Sequence, residues 1–215
     1  MIDLSKIGLY RITHRDNLEH IFKIEKLTAP NHPKANQSYI GIGDGTLIST
    51  RGKRTIVVEP SGSVAGSFQE YVSFYFGTRS PMLYQIWRGG ENVLAQPQRD
   101  IVYLVSSVEK VRESGQGFVF SDGHGIHRLT KFYDNLENLT EVDFEMVKEQ
   151  HWSDTVTDSD RKRRKQAEFL VKSELGVEYL LGIGVFDEET RIFADSLATK
   201  YGSRLPAKVY RNWYY

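Results

Sequence analysis

The sequence predicts one α+β domain, on three observations. Its 215 residues fit a single domain. A hydrophobic content of 40% with 12% aromatics is enough for a real core. Short apolar runs bounded by Gly, Pro, Asn and Asp recur along the chain, and helical spacing separates only some of them. Strands and helices therefore mix without regular β-α-β alternation, and neither a repeat nor a linker divides the chain.

In order, Gly8–Thr13 alternates apolar and polar positions as a strand does. Thr13 or Asp16 then offers an N-cap, and Asn17–Leu27 carries helical spacing at Leu18, Ile21, Phe22, Ile24 and Leu27. Ala29–Asn36, with two prolines and two asparagines, reads as a loop, and Ser38–Ile42 as a second strand. Gly43-Asp44-Gly45 is turn chemistry, Ile56–Val58 is apolar, and Glu59–Ser67 reads as a flexible Pro/Gly/Ser loop. Phe68–Tyr84 holds six aromatics in seventeen residues, with a strand at Tyr71–Phe76 and a helix starting at Met82–Trp87. Asp100–Ser106 is nearly continuous apolar and reads as a buried central strand. A short strand at Phe118–Phe120 leads into the Gly/His-rich loop Ser121–His127. Leu136–Phe144 reads as helical, Ser153–Asp160 as polar and mobile, Ala167–Val171 and Val177–Phe186 as strands, and Glu188–Lys200 as a helix.

Several classes of function are excluded early. The 28 basic residues balance 28 acidic ones, so nucleic acid binding by net positive charge is ruled out and any such binding needs a local patch. With no cysteine there is no disulfide, thiolate metal site or cysteine nucleophile, which suits a reducing cytoplasm. The N-terminus lacks a signal-peptide pattern and no window reaches the ~20 apolar residues of a membrane span, so a soluble chain is expected. The six histidines form no HExxH, and no metal is expected. Neither a GxSxG elbow nor a Walker A loop occurs, and Gly41–Gly45 lacks GxGxxG spacing.

What remains centres on Arg161–Val171, RKRRKQAEFLV, where five basic residues run into an apolar strand carrying one carboxylate. Alternation puts Glu168 and Leu170 on one face, and Ala167, Phe169 and Val171 on the other. A carboxylate there is costly to bury unless something pairs with it or uses it. Read alone, it is a surface Glu neutralised by the basic run, or a catalyst. Tyr71, Ser73 and Tyr75 share one face of the aromatic strand, with Phe74 and Phe76 on the core side. Arg51, Lys53 and Arg54 form a basic cluster suited either to solvent or to phosphate.

Five blocks, in order, then resemble one family: LYRITHRDNLEHI, IGDGTLISTR, YVSFYFGTRSPMLY, KQAEFLV and the terminal WYY. The chain resembles the DarT family, bacterial toxins that ADP-ribosylate DNA bases and are paired with a macrodomain antitoxin. The resemblance runs almost end to end. It implies the ADP-ribosyltransferase fold, with NAD in the cleft of a split, mostly antiparallel sheet. Glu168 matches the catalytic glutamate. Arg51 matches the arginine proposed to assist deprotonation of the target base. An arginine is almost always protonated, so steadying NAD phosphates or the target is an equal alternative, and Arg54 is close enough in register to exchange with it.

Arg11, Thr13 and Asn17 match the nicotinamide end of the first strand and the NAD-contacting helix start. Tyr71, Tyr75, Met82 and Tyr84 match the block lining the NAD cleft. His124 falls in a loop whose counterpart approaches the substrate, and Arg79, Arg161, Arg163 and Arg164 are expected at DNA phosphates. Arg11 replaces the histidine of thymidine-modifying members, so thymine and guanine both stand as the target base. An acceptor of RNA or protein is the alternative within the fold, and a non-enzymatic single-stranded nucleic-acid-binding module the alternative outside it.

Overall fold

The computed structural model describes residues 3–215. The chain runs β1 (Gly8–His14), α1 (Leu18–Ile24), β2 (Lys26–Thr28), α2 (Gly45–Gly52), β3 (Thr55–Val58), β4 (Ser63–Ser67) and β5 (Tyr71–Tyr75). It continues through α3 (Pro81–Arg88), β6 (Ile101–Ser107), α4 (Val108–Ser114), β7 (Phe118–Ser121), β8 (Phe132–Tyr133), α5 (Phe144–Lys148) and α6 (Arg161–Lys165). Last come β9 (Glu168–Lys172), β10 (Glu174–Gly176), β11 (Gly182–Val185), α7 (Glu188–Lys200) and β12 (Ala207–Val209).

Ten strands form one mixed, mostly antiparallel sheet in the order β12-β11-β6-β1-β5-β9-β7-β8-β3-β4, while β2 and β10 pair separately. The expected split lies between β1 and β5. Seven residue pairs join β1 to β6 and five join β5 to β9, but β1 and β5 meet only at Tyr10 and Tyr75. Past that point the two strands diverge and leave ladder groups without a strand partner. Arg11 reaches across the fork and donates from Nη1 to the Ser73 carbonyl at 3.1 Å.

The strand faces follow the alternation. Ala167, Phe169 and Val171 of the β9 segment join Val72, Phe74 and Phe76 in the large core beneath the helices. Leu170 and Tyr71 pack on the opposite face with Ile56, Phe68 and Phe132. Glu168, in register with Tyr75, shares that second face.

Several elements differ from expectation. The first helix stops at Ile24, because Glu25 turns left-handed (φ 56°) and Leu27 is needed in β2, buried against Leu175 of β10. Ser38–Ile42 forms no strand; the Ile40 peptide is bound instead by the Asn17 side chain. Within Glu59–Ser67, β4 forms a hairpin with β3, Val57 opposite Val64. Leu136–Glu141 is a 3-10 turn, and α5 starts only at Phe144. The Glu188–Lys200 helix is as expected, capped by Asp187 Oδ1 on the Thr190 amide at 3.0 Å.

Glu25 carries an exposed side chain at the helix C-terminus, where L-residues are strained and glycine is not. Glu25→Gly is expected to raise stability by about 1 kcal/mol, read as a higher Tm in a thermal melt. An unchanged or lower Tm would count against strain at that site.

Candidate active site

At the fork of the sheet, Glu168 is only 1% exposed. Its backbone N–H donates to Ser121 Oγ at 3.2 Å, tying β9 to the end of β7. One carboxylate oxygen, Oε1, lies 2.8 Å from Arg51 Nη2; the other, Oε2, is buried with no hydrogen-bond partner. Burial pushes the Glu168 carboxyl above its ordinary pKa, and the charge and hydrogen bond of Arg51, followed by the nearby Gly125 N–H, pull it back. The basic run beside it in sequence takes no part: its neutralising partner is Arg51.

Arg51 is delivered by α2, whose start is capped by Asp44 Oδ1 on the Leu47 amide at 2.9 Å. Its guanidinium lies 4.3 Å over the Phe68 ring and donates to Ser73 Oγ at 3.3 Å. An aromatic floor and two acceptors hold it pointed at Glu168.

Around this pair lies a cavity of about 330 Å³, lined by Arg11, Arg51, Tyr71, Ser73, Tyr75, Met82 and Glu168 among others. A second cavity of about 210 Å³ adjoins it, the two sharing Arg11, Pro30 and Tyr39. Thr13 and Asn17 line the second. Asn17 is spent on building its wall, donating from Nδ2 to Thr13 Oγ1 (3.0 Å) and the Ile40 carbonyl (2.9 Å). Tyr39, 46% exposed, bonds Thr13 through its hydroxyl at 3.2 Å. Tyr71 donates to the Ala65 carbonyl at 2.5 Å, and the buried Tyr75 hydroxyl points at the Met82 sulfur at 3.6 Å. Burial pushes the Tyr75 hydroxyl pKa up, so it stays protonated.

The structure thus brings together Glu168, Arg51, Arg11, Tyr71, Tyr75 and Met82 around one cavity, with Thr13 and Asn17 at its neighbour. Other expected residues lie elsewhere. Arg54 does not reach the cleft: its guanidinium packs over Phe132 and donates to the Gly125 carbonyl at 2.6 Å. Between the two arginines, Arg51 is the one at the carboxylate. Tyr84 sits outside the cavity lining, edge-on to Trp87, Trp152 and Tyr215. Its place on α3 puts it off the face that carries Met82.

The residues expected at DNA phosphates have partners within the protein. Arg79 is left-handed (φ 51°), lies 4.5 Å over the Tyr215 ring and donates to the Tyr214 carbonyl at 2.6 Å. Arg163 is bound by Asp160 and Asp122, and Arg164 by Asp143 and Asp158. Lys165 is buried and donates to the Val147 carbonyl at 2.6 Å, with burial pushing its pKa down to about 8. Arg161 donates to the carbonyls of His151 (2.6 Å) and Ser153 (3.1 Å). The basic run is turned onto the aspartates and carbonyls of the segments before it, and Lys162 is its exposed member. His124 donates its backbone N–H to the Arg163 carbonyl at 2.9 Å; burial and then the Arg51 charge push its imidazole pKa down to about 4. It is therefore neutral near pH 7.

Sequence reasoning missed Tyr39, Phe68 and Gly125. A Cβ placed on Gly125 would come 2.5 Å from Glu168 Oε2, so a glycine is required where this loop meets the carboxylate. The only signal for it was the glycine-rich run of residues 121–127. Among the described residues, no group of three or more His, Cys, Asp or Glu could hold a metal ion, and no helix is long and apolar enough to cross a membrane.

Known proteins share this architecture. A family model described as "ssDNA thymidine ADP-ribosyltransferase, DarT" matches residues 10–215. A DNA ADP-ribosyl transferase from Thermus sp. (strain 2.9) is 33% identical over 209 residues, 96% of this chain and 95% of that protein. Among solved structures, Thermus sp. 2.9 DarT in complex with ADP-ribosylated ssDNA superposes with a TM-score of 0.86 at 31% identity, covering 97% of this chain and 96% of that one. The same DarT in complex with NAD+ gives a TM-score of 0.80 at 30% identity, covering 97% and 98%. The family model, the relatives and the solved structures together show an ADP-ribosyltransferase. Within that class, the chain belongs to the DarT family.

Proposed function

We propose that the chain transfers ADP-ribose from NAD to a base of single-stranded DNA and acts as the toxin of a toxin–antitoxin pair in the bacterial cytoplasm, with a macrodomain protein as antitoxin. The observation that carries this is the state of Glu168: one oxygen fixed on Arg51, the other buried, unpartnered and beside a cavity. An orphan acceptor in that position suits a ribose hydroxyl. Two adjoining cavities suit the two halves of a dinucleotide.

In the reaction the bond between nicotinamide and ribose C1′ breaks, nicotinamide leaves with the bonding electrons, and the ribose becomes oxocarbenium-like. A carboxylate already oriented by Arg51 stabilises that charge without forming a covalent bond. The base attacks C1′, and the proton it gives up passes to solvent water. Arg51, held in an ion pair, serves as an orienting cation rather than a proton acceptor. A single strand is the preferred acceptor, since a base edge is poorly reached inside a duplex. His124, neutral on the loop beside Glu168, faces the acceptor, and exposed Lys162 supplies the phosphate contact expected of the basic run. The base is thymine or guanine. The family model's description favours thymine, and Arg11 in the histidine position favours guanine.

The test is mass spectrometry of nucleosides released from oligonucleotides treated with enzyme and NAD, run beside RNA, protein and duplex DNA. One deoxynucleoside carrying ADP-ribose is the expected result, and it names the base. Label confined to RNA or protein would overturn the DNA reading, equal labelling of duplex the strand preference, and retention of DNA with no NAD turnover the enzymatic reading altogether.

A further inference from the structure

The wall against Glu168 is the segment between β7 and β8, and one side chain outside the cleft grips it at several points. Arg163 is bound by Asp160 in a two-pronged contact, Nε to Oδ1 at 2.7 Å and Nη2 to Oδ2 at 2.8 Å. Its Nη1 turns the other way, to Asp122 Oδ1 at 3.0 Å and Thr130 Oγ1 at 3.3 Å, the two ends of the segment. Its backbone carbonyl accepts the His124 N–H at 2.9 Å, near the middle. Gly123 packs directly on the guanidinium, where any Cβ would collide with Nη1.

From there the contacts run to the carboxylate. Asp122 Oδ1 also accepts the Lys131 N–H at 2.9 Å, closing the neck of the segment. Ser121 Oγ donates to the Gly123 carbonyl at 2.7 Å while accepting the Glu168 N–H. Gly125 then rests against Glu168 Oε2.

We propose that Arg163 is a positioning residue for the transfer reaction, fixing the 122–130 segment and through it the carboxylate of Glu168, and that it makes no DNA phosphate contact. The assignment rests on Glu168 being the catalytic carboxylate. Two aspartates already neutralise a side chain only 11% exposed. A phosphate would have to strip Arg163 from both. Lysine would keep the charge but lose the planar fork that serves Asp160 and Asp122 together.

The test measures kcat at saturating NAD and single-stranded oligonucleotide, KM for NAD, and oligonucleotide Kd at two salt concentrations. It is run for wild type, Arg163→Lys, Asp122→Asn, the double variant and Glu168→Gln. Arg163→Lys is expected to lower kcat by about 10- to 100-fold, the scale of a misplaced reacting group, with oligonucleotide Kd and its salt dependence unchanged. Asp122→Asn should lower kcat in the same direction, and the double variant should cost less than the product of the two. A weakened Kd with a shallower salt slope and an intact kcat would make Arg163 a phosphate contact instead. Unchanged kcat and Kd would remove it from the reaction. Should Arg163→Lys fail to fold, Asp122→Ala with Thr130→Val removes both acceptors from the loop side and carries the same expectations. If Glu168→Gln keeps full activity, the catalytic reading itself falls; if it is inactive while the Arg163 and Asp122 variants are normal, only the positioning role does.

Discussion

Glu168→Gln is expected to lower the transfer rate by about 10²- to 10³-fold, the cost of removing one preorganised electrostatic contact at a developing charge. NAD affinity should stay close to that of wild type. The amide has the carboxylate's shape, and its oxygen can still accept from Arg51. What it lacks is the negative charge facing the ribose as the nicotinamide bond breaks. The loss therefore belongs in the transition state and not in the ground state. Single-turnover transfer to an oligonucleotide and calorimetric NAD binding separate the two. A variant that binds NAD normally yet keeps most of its rate would remove Glu168 from the chemistry.

Arg51→Ala has the largest expected effect on stability. It leaves a carboxylate that is 1% exposed without its counterion, and stranding a buried charge costs about 3 kcal/mol. The pH dependence has a defined sign. The folded Glu168 pKa lies above its unfolded value, so its stability is fully present below the unfolded pKa and is lost as pH rises through the folded one. Arg51 supplies both leading influences that hold that pKa down. Without it the pKa climbs further, and the loss grows and extends to higher pH. The Tm gap between wild type and Arg51→Ala should be small near pH 4 and widen toward pH 8. Adding Glu168→Gln should recover much of it. A gap that does not vary with pH would place the destabilisation in lost packing over Phe68 instead.

How far the sequence was legible follows from what each signal measures. Period-two alternation in YVSFY and AEFLV assigned their faces, because successive strand side chains point to opposite sides whatever covers each of them. A single carboxylate in an apolar strand was legible as costly to bury, but left an ion pair and a catalyst both open until the family blocks were set beside it. For the basic run, the sequence records charge and not where charge points. Asp122, Asp143, Asp158 and Asp160 lie up to several dozen residues away, and only the fold turns Arg163 and Arg164 onto them. Arg51 and Arg54 look alike in a basic cluster, and the turn of α2 decides which one meets Glu168. Tyr39 was missed because Ser38–Ile42 reads as a strand, whereas the Asn17 side chain and not a ladder holds that segment. The β4 hairpin was hidden by its Gly and Ser content, which weakens any strand signal.

Strand order carries one more consequence. In space β9 lies between β5 and β7, but in the chain it follows both by a long interval. A growing polypeptide on the ribosome therefore holds β5 and β7 with the strand between them still missing. Pairings so distant in sequence form late. Glu168 is the first residue of that closing strand, so the scaffold and the buried carboxylate are completed in one event. An unfinished chain has neither, so the proposed transfer waits until β9 is paired.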